Sequence, residues 1–137
     1  DDLDCYLTRD ADRFVPLADR ARIANARAAT VFVSIHCNAA EDPSANGTET
    51  WYHDWSPEGK RLAECLQRQL LTRLGRRDRG VRGTTTFAVL RRTNMPAALV
   101  ELGFVSNAQE AQELARDDVR TCAAMAIAQG IRDYLRR

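Results

Sequence analysis

The chain has 137 residues, 45% of them hydrophobic and 28% charged, which fits one globular domain and excludes a disordered or low-complexity polymer. Twenty basic residues stand against nineteen acidic ones, and the net charge of +1 gives no bulk positive field that would argue for nucleic acid. No run approaches the roughly 20 apolar residues a membrane span needs, and no signal peptide is visible.

Taken in chain order, short strand-like runs alternate with helical patterns, which predicts an α/β domain with a mostly parallel, twisted sheet. Residues 3–8 alternate Leu3, Cys5 and Leu7 with more polar neighbours, as a strand does. Pro16 suits the first turn of a helix on which Leu17, Ala21, Ala24 and Ala28 recur at helical spacing. Residues 30–36 (TVFVSIH) form the clearest strand, short, β-branched and apolar enough to be buried on both faces. Residues 38–47 are a polar loop with Pro43 and an Asn46-Gly47 turn signal, and residues 48–53 return as a strand.

Ser56-Pro57-Glu58 reads as N-cap, first-turn proline and dipole-matched acid of a long helix. Its buried stripe is Leu62, Leu66, Leu70 and Leu74, and Gly75 stops it. Residues 76–83 read as a basic loop, residues 87–90 as a short strand and residues 97–101 as a second buried strand. Asn107 to Glu110 has the form of a capping box before a short helix. A last helix over residues 119–135 carries Val119, Cys122, Ala126, Ile127, Ile131 and Tyr134 or Leu135 inward.

The four cysteines, Cys5, Cys37, Cys65 and Cys122, lack metal-like spacing and read as small packed hydrophobes. Lys60 is the only lysine; the arginine bias fits source composition more readily than function. Two polar residues carry chemistry by position: His36 closes one buried strand and Glu101 another. Ligands of α/β sheets bind beyond the carboxyl ends of strands, so both side chains are expected in one crevice. A neutral imidazole ligates zinc, and a carboxylate beside it serves as general base.

At these residues the chain resembles the zinc-dependent N-acetylmuramoyl-L-alanine amidases of the type 3 class. The matching segments are Leu7-Thr8-Arg9 with Asp12, Arg22, Ala24-Asn25, Ser34-Ile35-His36-Cys37-Asn38-Ala39 and Gly47-Thr48-Glu49-Thr50-Trp51-Tyr52. Asp78-Arg79-Gly80-Val81 and the string from Pro96 through Val100-Glu101-Leu102-Gly103-Phe104-Val105-Ser106-Asn107 complete them. The resemblance implies a phosphorylase/hydrolase-like sheet with helices on both faces, with His36 as a zinc ligand and Glu101 as the catalytic glutamate. It implies hydrolysis of the amide between N-acetylmuramic acid and the L-alanine of the peptidoglycan stem, in the cell envelope. One Zn²⁺ is expected, with a further histidine and glutamate ligand upstream of Asp1, so residues 1–137 read as an amidase catalytic domain incomplete at its N-terminus.

Among the other residues, Asn38 is split evenly between a substrate hydrogen bond and an Asx turn. The backbone at Leu102, Gly103 and Phe104 is a candidate contact for the stem peptide. Arg79, Arg82 and Arg91 are candidate receivers of peptide carboxylates, against a default of solvated charge. Arg9, Asp12 and Arg22 are expected in structural ion pairs, His53 on the surface or in the cleft, and Glu49 in a structural or groove-lining role. Cys37 points away from His36 by alternation and is not expected to bind metal. Two other readings compete: a degenerate amidase that only binds peptidoglycan, and a carboxypeptidase-like zinc hydrolase. Retention of Glu101 weighs against the first, and the amidase strings against the second.

Overall fold

A computed structural model describes residues 2–136. The elements are α1 (Leu17–Ala26), β1 (Phe32–Asn38), β2 (Thr48–His53), α2 (Pro57–Leu74), β3 (Asp78–Thr84), α3 (Ala88–Arg91), β4 (Ala97–Phe104), α4 (Ala108–Leu114) and α5 (Asp117–Leu135). The strands form one sheet in the order β1-β4-β2-β3. The β1–β4 and β2–β3 pairs are parallel and β2–β4 is antiparallel, so the sheet is mixed.

Alternation along the strands sorts the two faces. Ala98, Val100 and Leu102 of β4 join Leu62, Leu66 and Leu70 of α2 and Ala123, Ala126, Ile127 and Tyr134 of α5 in the larger core. Phe32 of β1 and Ala97 and Leu99 of β4 meet Ala24 of α1 and Val89 and Leu90 of α3 in a smaller core on the opposite face. Close approach of α2 and α5 depends on Gly130, where a Cβ would lie 2.9 Å from the Leu66 Cα. Helix α2 has its expected ends: Ser56 Oγ accepts from the Gly59 amide, Pro57 is the first helical residue, and Gly75 turns left-handed at φ 61°.

Several expectations need correction. Residues 3–8 form no strand, because a strand needs a lateral ladder and none of the described strands pairs with them. Tyr6 and Leu7 are accordingly exposed. Strand β1 runs two residues later than expected and lies at the sheet edge, so it is not covered on both faces: Ile35 is 55% exposed. Residues 78–84 are strand β3, since the open edge of β2 supplies backbone partners and Glu49 meets the charges of Arg79 and Arg82. Residues 87–90 enter a single helical turn that lays Val89 and Leu90 on the sheet; a four-residue apolar run fits either period. Only Cys65 of the four cysteines is buried, and Cys122 lies on the outer side of α5.

Candidate functional site

The register places the chemistry-bearing residues in one row. His36 on β1 is the direct partner of Glu101 on β4, and Glu101 is the direct partner of Glu49 on β2. Side chains opposite one another share a face, and this face is the one that carries α1 and α3. Arg79 and Arg82 of β3 extend the row, with Nε atoms 3.5 and 3.2 Å from the two Glu49 oxygens.

His36 is half-buried, and its Nε2 lies 2.8 Å from Ser34 Oγ. Burial, with the positive charges of Arg20 and Arg9, holds its pKa below the ordinary imidazole value. The neutral ring is the ligand form, and engagement of one nitrogen by a hydroxyl orients it and leaves Nδ1 for a metal.

Glu101 is the least satisfied group of the site. Its Oε2 is buried without a hydrogen-bond partner. Burial, reinforced by the charge of Glu49, pushes its pKa from 4.5 up to about 7. A carboxyl so placed exchanges a proton near neutrality, as a general base and acid must.

Asn38 is hydrogen-bonded within the protein on two sides. Its Nδ2 donates to Glu49 Oε1 at 2.6 Å, and its Oδ1 accepts from the Ala39 amide at 2.9 Å. In the Leu102–Phe104 segment, the Leu102 carbonyl accepts from Thr48 Oγ1, and the Phe104 amide donates to Glu110 Oε1. Partial desolvation of this otherwise exposed residue, with the nearby Glu101 charge, pushes the Cys37 thiol up, which disfavours the metal-binding thiolate. Arg22 makes an ion pair with Asp19. Because β2 is antiparallel to β4, His53 lies at the end of the sheet remote from Glu101. There it lines a separate cavity of about 370 Å³ with Trp55, Arg91 and Met95.

A family model described as N-acetylmuramoyl-L-alanine amidase matches residues 1–133. The chain belongs to this amidase family. It is 41% identical over 132 residues to the N-acetylmuramoyl-L-alanine amidase LytC of Bacillus subtilis, covering 95% of this chain and 26% of that protein. The chain thus spans about a quarter of that relative. Among solved structures it is similar to the amidase AmiC2 of Nostoc punctiforme, with TM-score 0.90 and 41% identity over 96% of this chain and 72% of that one. The catalytic domain of the amidase CwlV of Bacillus (Paenibacillus) polymyxa gives 0.89 and 40%, over 95% and 71%.

Two residues, Asn25 within the family strings and Glu110 just beyond them, have structural roles that sequence reasoning passed over. Asn25 clamps the loop before β4, donating to the Arg92 carbonyl and accepting from the Asn94 amide, both at 2.8 Å. Glu110 is buried and does not close its capping box. It accepts from the Gly47 and Phe104 amides and pairs with Arg76 at 2.7 Å, tying the two loops beside the row together. The signal for Glu110 was its place three residues after Asn107, which does cap α4 by accepting from the Glu110 amide. For Asn25 a lone amide on a helix offered none.

Proposed function

We propose that this chain carries the catalytic centre of a zinc-dependent peptidoglycan amidase of the cell envelope. The bond cut is the amide between the lactyl group of N-acetylmuramic acid and the L-alanine of the stem peptide. The observation that supports this most is the half-buried Glu101, whose Oε2 is buried without a hydrogen-bond partner, on the strand next to a neutral His36. A purely binding groove gains nothing from such a carboxyl, which costs stability to bury.

The residues present fit part of a zinc site. His36 supplies one imidazole ligand, and no group of three His, Cys, Asp or Glu side chains gathers among the described residues. In this proposal the remaining ligands, a histidine and a glutamate, come from outside residues 2–136. When bound, zinc polarises the attacking water and the scissile carbonyl. Glu101, titrating near 7, takes the proton released as water attacks and returns it to the departing amine of L-alanine. Glu49, buried and held by Asn38, Arg79 and Arg82, keeps Glu101 from ionising early and gives the groove floor a fixed shape. Ser34 holds the imidazole of His36 in its ligand orientation.

The test is to incubate the zinc-loaded protein with purified sacculi and identify the fragments by mass. Stem peptides with a free L-alanine amino terminus, beside glycan with intact lactyl carboxylates, support the proposal. Cleavage within the glycan or within the stem peptide would refute it.

A further inference from the structure

The row His36–Glu101–Glu49 ends on β3 in two guanidiniums facing one carboxylate, which leaves one positive charge over. The two arginines differ. Arg79 has a side chain 23% exposed, and its guanidinium lies 4.9 Å over the Phe104 ring. Arg82 is more open, at 44% exposed, yet it is held at its base. Its Nε sits 3.2 Å from Glu49 Oε2 and donates to the Arg79 carbonyl, and its guanidinium stands 5.7 Å over Trp51. An arginine anchored through Nε and a ring face presents its terminal nitrogens with little conformational entropy left to lose.

Distance fits a substrate group. Arg82 stands opposite Trp51, which stands opposite Leu99, so it lies two strands across and two residues along from Glu101, about 11–12 Å between backbones at ordinary sheet spacing. An extended peptide advances about 3.5 Å per residue, which puts the second stem residue about 7 Å from the scissile nitrogen, and the Arg82 side chain, reaching back toward Glu49, spans the remainder.

Resting on the peptidoglycan reading above, we propose that Arg82 is a specificity-determining residue that receives the free α-carboxylate of the second stem residue. It thereby sets the direction in which the peptide crosses the sheet, from Glu101 toward β3. The groove would then distinguish stems with that carboxylate free from stems in which it is amidated. Arg9 and Arg20, whose charges act on His36, mark the opposite end of the row and define the contrary orientation.

The experiment measures binding of L-alanyl-γ-D-glutamate, its γ-carboxyl capped as a methylamide, beside its α-carboxamide counterpart, to wild type, Arg82→Gln, Arg82→Lys and Arg20→Gln. A charge-assisted pair predicts about 10- to 100-fold tighter binding of the free acid by wild type. Arg82→Gln brings that ratio to about one by weakening the acid alone, and Arg82→Lys keeps part of it. Unchanged binding of the carboxamide, with an unchanged melting temperature, shows that the variant is folded. Equal weakening of both peptides would overturn the proposal by reducing Arg82 to a prop for Glu49. Collapse of the ratio in Arg20→Gln instead would overturn it by reversing the peptide. Wild type that binds both peptides equally defeats only the Arg82 assignment; wild type that binds neither and cuts no peptidoglycan defeats the amidase proposal as well.

Discussion

The two faces of the sheet treat buried polar groups in opposite ways. Toward α2 and α5, Thr48, Thr50 and Gln67 are buried and mutually satisfied. Thr50 Oγ1 donates to Gln67 Oε1, Gln67 Nε2 donates to the Thr48 carbonyl and Asp78, and Thr48 Oγ1 donates to the Leu102 carbonyl, all within 2.8–2.9 Å. Toward α1 and α3, Glu49 Oε2 and Glu101 Oε2 are buried without hydrogen-bond partners. One face closes its polar network as a stable core does. The other leaves Glu101 open to react, beside a Glu49 that Asn38 and two arginines hold.

The sharpest break of that contrast is Glu101→Gln. Hydrolysis is expected to fall about 10²- to 10⁴-fold, as for loss of a general acid–base group, while the melting temperature holds or rises because a buried charge is gone. A melting temperature lowered by several degrees would place Glu101 among the structural residues instead. On the opposite face, Leu66→Ala removes a fully buried side chain at the α2–α5 contact and is expected to cost about 2–5 kcal/mol in chemical denaturation. Its effect on kcat is expected to be small.

Gln67→Leu tests whether the closed network matters as a network. It strands Thr50 Oγ1 and removes the donor to Asp78, and about 1–3 kcal/mol of destabilisation is expected. No loss would mean that water or a repacked threonine replaces the amide. Asn107→Ala, which deletes the cap of α4, is expected to cost about 1 kcal/mol.

The pH dependence of stability separates the faces most gently. The folded chain keeps the Glu101 proton up to about pH 7, whereas the unfolded chain releases it near 4.5. Between those values the unfolded state binds fewer protons than the folded one, so Glu101 lowers stability as pH rises from about 4.5 to 7 and adds no slope beyond. Denaturation of metal-free wild type and Glu101→Gln at pH 5 and pH 8 reads this directly: the wild type loses more stability than the variant. Parallel losses in both proteins would assign the slope to other groups.

What was legible in the sequence follows the same division. Helix α2 announced itself through Ser56, Pro57, the leucine stripe and Gly75, because each is a local rule acting on its own neighbours. Strand β2 was readable at its full length, and the meeting of His36 with Glu101 followed from both residues standing near the carboxyl ends of strands that pair in parallel. Strand β3 was hidden, since glycines and arginines read as loop until Glu49 and the rings of Trp51 and Phe104 are in place to receive the charges. The single turn α3 and the strand expected at residues 3–8 failed for a related reason. Both depend on which tertiary partner is present, and periodicity does not report partners. The second carboxylate of the site, Glu49, was visible as a residue. Its contact with Glu101 arises from an antiparallel register between distant strands, which no local pattern encodes.

On the proposed mechanism His36 holds the metal and Glu101 moves the proton. Zinc content and muropeptide release measured together on wild type, His36→Ala and Glu101→Gln test it most directly. One zinc per chain is expected in wild type and in Glu101→Gln, with release abolished in the latter, and loss of both zinc and release in His36→Ala. Full zinc in His36→Ala, or undiminished release by Glu101→Gln, would contradict it.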